Sequence, residues 1–376
     1  DIAILAVGSG DPGAVPGQGV VAGETHIVAS RLEAIQGVAV AASQTILTLD
    51  QVTAHDIRDV WGETGVGVIA VESSVNLVDV DIRHFEDTGV IVRAGASVRG
   101  RRLRIVGAAE AAGIGGRGLM VETGGSVDLV AGRIHAVRVA GVACRDAASS
   151  VRSVGLLVDG TMAGANLHAF GLGVMAQEHC AEFAVVGSRL HDNRLAGLLA
   201  LGADVLVRGA GLVVDGTRPD PAMEEFGAGA GAAYGAEMHL TQSLLVGNSG
   251  TGVVFHAAGG ELVGSVVRST VASVYASAGG AKDLLADGVV AAGSSSVQID
   301  RVLVSANGRA GVLVDGSAGV QLSRTVASAG YYGIVTQKSA AVSRAGSVAY
   351  GNEGLNYAED AGLSVPQPPS AVLFGD

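Results

Sequence analysis

Aromatic residues are scarce in this chain, at 3% of 376 residues. A core with so few rings must be built from Val, Leu, Ile and Ala. Charge is scarce as well: Asp, Glu, Lys and Arg together make 16%, against about 25% in an ordinary domain. The net charge is -12, and no cluster of Lys or Arg interrupts it, which argues against nucleic acid or an anionic membrane surface as partner. Only Cys144 and Cys180 are present, too few for a disulfide framework. The most apolar stretch, 195–214, is broken by Asp204, Arg208 and several glycines, which excludes a membrane-spanning helix there. No amphipathic helix of ten or more residues is visible. No HExxH, CxxC or EF-hand phrase occurs, so no metal site is expected. Calcium between acidic turns is the one ion considered, and no residue pattern supports it. No other cofactor is indicated.

Glycine, by contrast, is abundant, with 58 residues. A disordered linker would not also be 48% hydrophobic with a mean hydropathy of +0.43, and no Gly-X-Y period points to collagen. The glycines instead mark a repeat: Gly67-Val68-Ile69-Ala70, Gly89-Val90-Ile91-Val92, Gly118-Leu119-Met120-Val121, Gly141-Val142-Ala143-Cys144 and Gly311-Val312-Leu313-Val314 are examples. Weaker copies start at Gly37, Gly231 and Gly354. A second strand-like phrase follows each copy, as in Ser74-Val75-Asn76-Leu77 and Ser296-Val297-Gln298-Ile299. A third, such as Val302-Leu303-Val304, precedes the next glycine. Three short strands with period-two alternation, joined by Gly, Ser, Asn and Asp turns, predict one coil of a solenoid.

The fold class expected is therefore all-β: a right-handed parallel β-helix of about 12 to 13 coils with three parallel sheets. It spans 19–356 as a single domain, with caps or linkers at 1–18 and 357–376. The chain starts on Asp1 rather than Met, as expected of a segment of a longer chain. Asn193, Asn248 and Asn307 each stand four residues before a repeat glycine and read as turn formers.

The phrase Asn307-Gly308-Arg309-Ala310-Gly311-Val312-Leu313-Val314 resembles the coil repeats of pectate lyases, polygalacturonases and related carbohydrate-active proteins. The run 212–220, followed by Phe226-Gly227, is similar in style to repeats of large secreted or surface proteins of myxobacteria. The resemblance covers nearly the whole chain. It implies the fold, while the same coil hosts lyases, hydrolases, epimerases and adhesins.

Spacings between the repeat glycines alternate: 30, 22, 29, 23, 32, 24, 34, 21, 36 and 23 residues from Gly37 to Gly311. The unit of duplication is thus a pair of coils. The extra residues fall in loops 53–65, 106–116, 159–171, 215–230 and 270–287, which should project from one edge as a comb. Four loops close with a large apolar residue and a glycine, at Trp61, Ile114, Phe170 and Phe226. A staple is the favoured reading, with Trp61 the best candidate for a sugar platform.

The first long loop carries His55, Asp56, Arg58, Asp59, Trp61 and Glu63. The fourth carries Asp215, Arg218, Asp220, Glu224 and Glu225. Glycoside hydrolysis needs two carboxylates beside one bond. Lyase or epimerase chemistry needs a base and a cation to hold developing charge. If the chain is an enzyme, His55, Asp56, Arg58, Asp59 and Glu63 are its catalytic candidates. Trp61, Asp215, Arg218, Asp220 and Glu224 are ligand-binding candidates. The position two residues past each repeat glycine argues the other way. It is apolar throughout, at Ile91, Met120, Met175, Leu199, Val254 and Leu313 among others. If glycine plus one and plus three point inward, this row forms an exposed aliphatic stripe for a partner, a covering segment or self-association. His135 and His191 share a coil position but lie two coils apart, too far for one metal. Cys144 reads as a core residue. Cys180 sits in a turn beside His179, with no third group to make a nucleophile.

The leading expectation is a non-catalytic secreted or cell-surface rod, structural or adhesive, with a polysaccharide or another surface protein as partner. The alternative is a polysaccharide lyase, hydrolase or epimerase working beside the long loops. The location expected is extracellular or on the outer cell surface.

Overall fold

The computed structural model describes residues 2–7, 20–21, 24–58, 65–108, 116–163, 171–219, 227–276, 282–316, 319–338, 340 and 342–367. Three kinds of short strand alternate along the chain, and no helix occurs among the described residues. The second and third kinds number thirteen each. The fold is a right-handed parallel β-helix. The chain divides into two compact units. The first is Asp1–Gly171 with Gln177–Ala184 and Leu373–Asp376; the second is Leu172–Ala176 with Val185–Val372.

In the first unit, the first sheet runs in parallel from Ile2–Val7 through Val38–Ser43, Val66–Val71, Thr88–Arg93 and Arg117–Val121 to Ala140–Cys144. The second sheet runs from Glu24–Val28 to Ser150–Val154. The third runs from Arg31–Gln36 through Thr53–Arg58, Asp81–Phe85, Arg104–Ala108 and Arg133–His135 to Leu157–Asp159. The second unit repeats the plan. Its first sheet goes from Ala196–Leu201 to Leu355–Glu359, and its third sheet from Arg189–His191 to Val348–Tyr350. One departure from parallel pairing is a hairpin in the last long loop, where Ser273–Ala276 pairs antiparallel with the start of Lys282–Ala292.

Between second and third sheets the chain turns at one residue in the left-handed region. In the first unit these are Ala29, Gln51, Asp79, Arg102, Ala131 and Gly155. The next residue then points inward, as at Val52, Val80, Leu103 and Leu156, all buried. Non-glycine residues in this conformation cost about 1–2 kcal/mol each. The interstrand hydrogen bonds on both sides hold them there: Gln51 N donates to Val78 O (2.9 Å) and Asp81 N to Val52 O (2.9 Å).

The repeat glycines are required by contact. A Cβ on Gly118 would lie 2.5 Å from Gly141 O and 2.5 Å from the Ile134 Cγ2 methyl. The three weak copies are out of register. Ala39, Gly229 and Asn356 stand at the repeat position, not Gly37, Gly231 and Gly354, because the register follows the ladder and not the nearest glycine. The asparagines are buried inside the coil and bond from rung to rung. Asn248 Nδ2 donates to Val214 O (2.9 Å), and its Oδ1 accepts from Thr217 N (3.1 Å).

The aliphatic row is not an exposed stripe. Met120, Met175, Leu199, Val254 and Leu313 are buried, and Ile91 is half-buried. Leu199 and Val254 close over Gly231, where a built Cβ would sit 3.2 and 3.1 Å from their methyls. Cys144 and Cys180 also depart from the separate roles expected of them. They are bonded to each other, with Cα atoms 5.7 Å apart, so neither offers a thiol. A single bond across a corner is what two cysteines allow, without any framework.

Opposite outcomes follow for two glycine-related changes in the first unit. Gly118→Ala should lower the unfolding free energy by about 1–3 kcal/mol, because the rung cannot open to admit a methyl. Ala131→Gly should raise it by up to about 1 kcal/mol, because it relieves a left-handed corner. Replacing both cysteines by Ser should cost about 2–4 kcal/mol. Denaturant midpoints at constant slope read all three.

Candidate active site

Alternate residues of a strand share a face, so Arg-x-His places both side chains outward on the third sheet. The register then sets the partner. His135 lies opposite Asp159 of the next rung, and His191 lies opposite Asp215. In the first unit His135 Nδ1 is 2.6 Å from Asp159 Oδ2, and Arg133 donates to both oxygens of the same carboxylate at 3.3 and 3.2 Å. In the second unit His191 Nδ1 is 2.9 Å from Asp215 Oδ2, and Arg189 donates from Nε at 2.9 Å and Nη2 at 2.7 Å. Each carboxylate is thus held by one guanidinium and one imidazole. It is mostly buried, whereas the His135 ring is 39% exposed. Neither ring has a partner for Nε2 among the described residues.

Asp215 titrates below the usual carboxylate range. Burial alone would raise it, but the Arg189 hydrogen bond and the charges of His191 and Arg189 outweigh burial. Asp215 stands among the ligand-binding candidates of the sequence, whereas His135 and His191 do not, since two coils separate them from a shared metal. The legible signal was Arg-x-His followed after 24 residues by Val-Asp-Gly, present twice.

Of the residues expected on the first long loop, His55 and Asp56 meet on the third sheet, in the strand Thr53–Arg58. His55 Nδ1 is 2.9 Å from Asp56 Oδ2, and its Nε2 lies 3.2 Å from Glu33 Oε1 and accepts from Arg31 Nε at 3.0 Å. Both ring nitrogens are engaged, so this histidine is closed in rather than poised. Asp56 also holds His84 Nδ1 at 3.2 Å. Its carboxyl is kept below the usual range, first by the His55 hydrogen bond. Arg58 is exposed past the turn at Asp56. Asp59, Trp61, Glu63, Asp220, Glu224, Ile114, Phe170 and Phe226 lie outside the described residues. Arg218 joins Asp192 at 2.6 Å, beside the second triad.

The first sheet is apolar two residues past the repeat glycine but not further along. Four residues past it, Glu122 and Arg145 stand on adjacent rungs, with Arg145 Nε donating to Glu122 Oε2 at 3.0 Å. Among the described residues no three His, Cys, Asp or Glu side chains converge as metal ligands.

No family model and no curated protein matches this chain. Solved structures similar to it include the periplasmic alginate epimerase AlgG, at 10% identity and TM-score 0.44, covering 91% of this chain and 76% of that one. A double mutant of that enzyme matches at 10% identity and TM-score 0.47, covering 90% and 76%. The A-module of the Azotobacter vinelandii mannuronan C-5 epimerase AlgE6 matches at 13% identity and TM-score 0.29, covering 93% and 92%. The expectation of a non-catalytic structural or adhesive rod is corrected here. That expectation rested on the apolar first sheet, and the third sheet carries charged Arg–Asp–His triads on its outer face.

The folded value of Asp215 lies below its unfolded value of about 3.9. The stability it contributes is therefore complete above about pH 4 and is lost as pH falls through the folded value. Asp215→Asn should destabilise the chain at pH 7, and the gap in Tm from the unsubstituted protein should narrow as pH falls below about 4. A constant gap would show that the ion pairs do not set the carboxyl.

Proposed function

We propose that this chain is a carbohydrate-active enzyme that takes the proton next to the carboxylate of an anionic polysaccharide, as an epimerase or a lyase does. The observation that carries the reading is the Arg–Asp–His triad, built twice on half-exposed rings whose Nε2 has no partner among the described residues. The aspartate fixes the tautomer by taking Nδ1–H, which leaves the Nε2 lone pair for the C5 proton of a uronate. The electrons of the broken C–H bond move into the neighbouring carboxylate. Arg133, beside the His135 ring, can stabilise that charge. Epimerisation returns those electrons to C5, which takes a proton from water on the opposite face. Elimination instead returns them as a C4–C5 double bond as the C4–O bond breaks, and the departing oxygen takes up the proton held on Nε2, leaving an unsaturated end.

Hydrolysis fits less well. It needs a protonated carboxylic acid, and both candidate carboxyls are held below the usual range, Asp56 first by the His55 hydrogen bond and Asp215, against burial, by Arg189 and His191. The net charge of -12 repels an anionic polymer at long range, so binding rests on local cations such as Arg83, Arg104 and Arg133. The disulfide suits an oxidising compartment, in line with a periplasmic, extracellular or outer-surface location.

Incubation with uronate polysaccharides, followed by NMR of the C5 configuration and by assay of unsaturated ends, tests the reading. His135→Gln and His191→Gln together should lower turnover about 10²–10⁴-fold, while His26→Gln should leave it unchanged. Absence of either product across neutral and uronic polymers would overturn the assignment.

A further inference from the structure

In the second unit a short C-terminal segment crosses the outer face of the first sheet. Gln337, at the end of the strand Tyr332–Gln337, donates from Nε2 to Leu363 O at 2.7 Å and accepts from Leu363 N at 2.9 Å. One side-chain amide thereby makes the pair of bonds that a neighbouring strand would make. Arg309, just before the strand Ala310–Asp315, donates to Ser364 O at 2.7 Å. The Ser364 hydroxyl bonds Asp283. Because Arg309 and Gln337 approach from opposite ends of adjacent strands and meet at 363–364, the segment lies over the row containing Leu313 and Val335. Both are fully buried.

The receptor is itself braced. Gln337 Nε2 also donates to Asp315 Oδ1 at 2.9 Å, and Lys338 Nζ holds the other oxygen at 2.9 Å. Arg309 is anchored by the buried Asp287. The segment, in contrast, adds no strand to a sheet and is tied to the receptor through side chains. It leaves the last strand through two left-handed residues, Asp360 (φ 49°) and Gly362 (φ 65°). It can therefore lift without breaking any ladder.

We propose that this face is a receptor for an extended polypeptide segment, and that the partner it fits is residues 361–367 of a second copy of this chain. Exchange between copies makes the same bonds as the closed chain, so no new complementarity is needed, and the balance is set by concentration and hinge.

Two variants separate receptor from segment. Gln337→Ala removes the receptor amide and leaves the segment intact. Leu363→Pro removes the segment's N–H donor and leaves the receptor intact. Each alone should be monomeric by sedimentation, with loss of hydrogen-exchange protection over 361–367 in the Gln337→Ala chain. Mixing the two should give a heterodimer and restore that protection. Arg309→Lys, which keeps a cation beside Asp287 but falls short of the Ser364 carbonyl, replaces Gln337→Ala if that chain does not fold. A mixture that stays monomeric and unprotected overturns the proposal, as does undiminished protection in the receptor variants.

Discussion

Everything in this molecule depends on a backbone that returns to the same place after each coil. The device is a corner of one left-handed residue followed by one inward residue, repeated at Gln51-Val52, Asp79-Val80 and Arg102-Leu103. A corner one residue longer or shorter would turn every side chain of the next strand to the other face. The corner is strained for Gln, Asp and Arg, and would not persist in an isolated coil. It persists because each rung's N–H and C=O groups are satisfied by the rungs on either side. Stacking and cornering are therefore one constraint, and a single coil has no stable form.

That constraint is why so much was legible. Period-two alternation and the glycine spacing identify three strands per coil, since both are written into residue type. The packing reason for Gly118, a carbonyl and a methyl at 2.5 Å, appears in sequence as a glycine that recurs from coil to coil. What was not legible is what depends on neighbours in space. Gly231 resembled a repeat glycine and was displaced by Gly229, because register propagates from the adjoining strands. The row of Leu199, Val254 and Leu313 alternates as an outward row does. At Leu199 and Val254 the burial comes from side chains closing over Gly231.

The site follows the same division. A pattern of Arg-x-His is visible in one strand. Its meaning appears only when the next rung brings Asp159 or Asp215 alongside, 24 residues later. Loop composition pointed instead to His55 and Asp56, and those two do meet. Glu33 and Arg31 from the preceding rung then occupy the second ring nitrogen, which turns a promising pair into an ion-paired cluster. Residue type gives the inventory of a solenoid face. The rung spacing decides which members of the inventory touch.

Whether the triads merely hold rungs together can be judged from the rungs that follow. The strand Leu244–Val246 occupies the next place in the same ladder, beside Val213–Asp215, and Val266–Arg268 pairs with it in turn. Leu244 and Val246 stand where Arg189 and His191 stand two rungs earlier. The backbone hydrogen bonds are the same, and the inward Leu245 is as buried as Leu190. An apolar pair therefore builds an equally good rung. Two rungs nevertheless place a cation and an imidazole on one buried carboxylate, which costs desolvation that the ladder does not require. The fold leaves the outward positions of the third sheet free, so the reason for charge there is to be sought in what the face does.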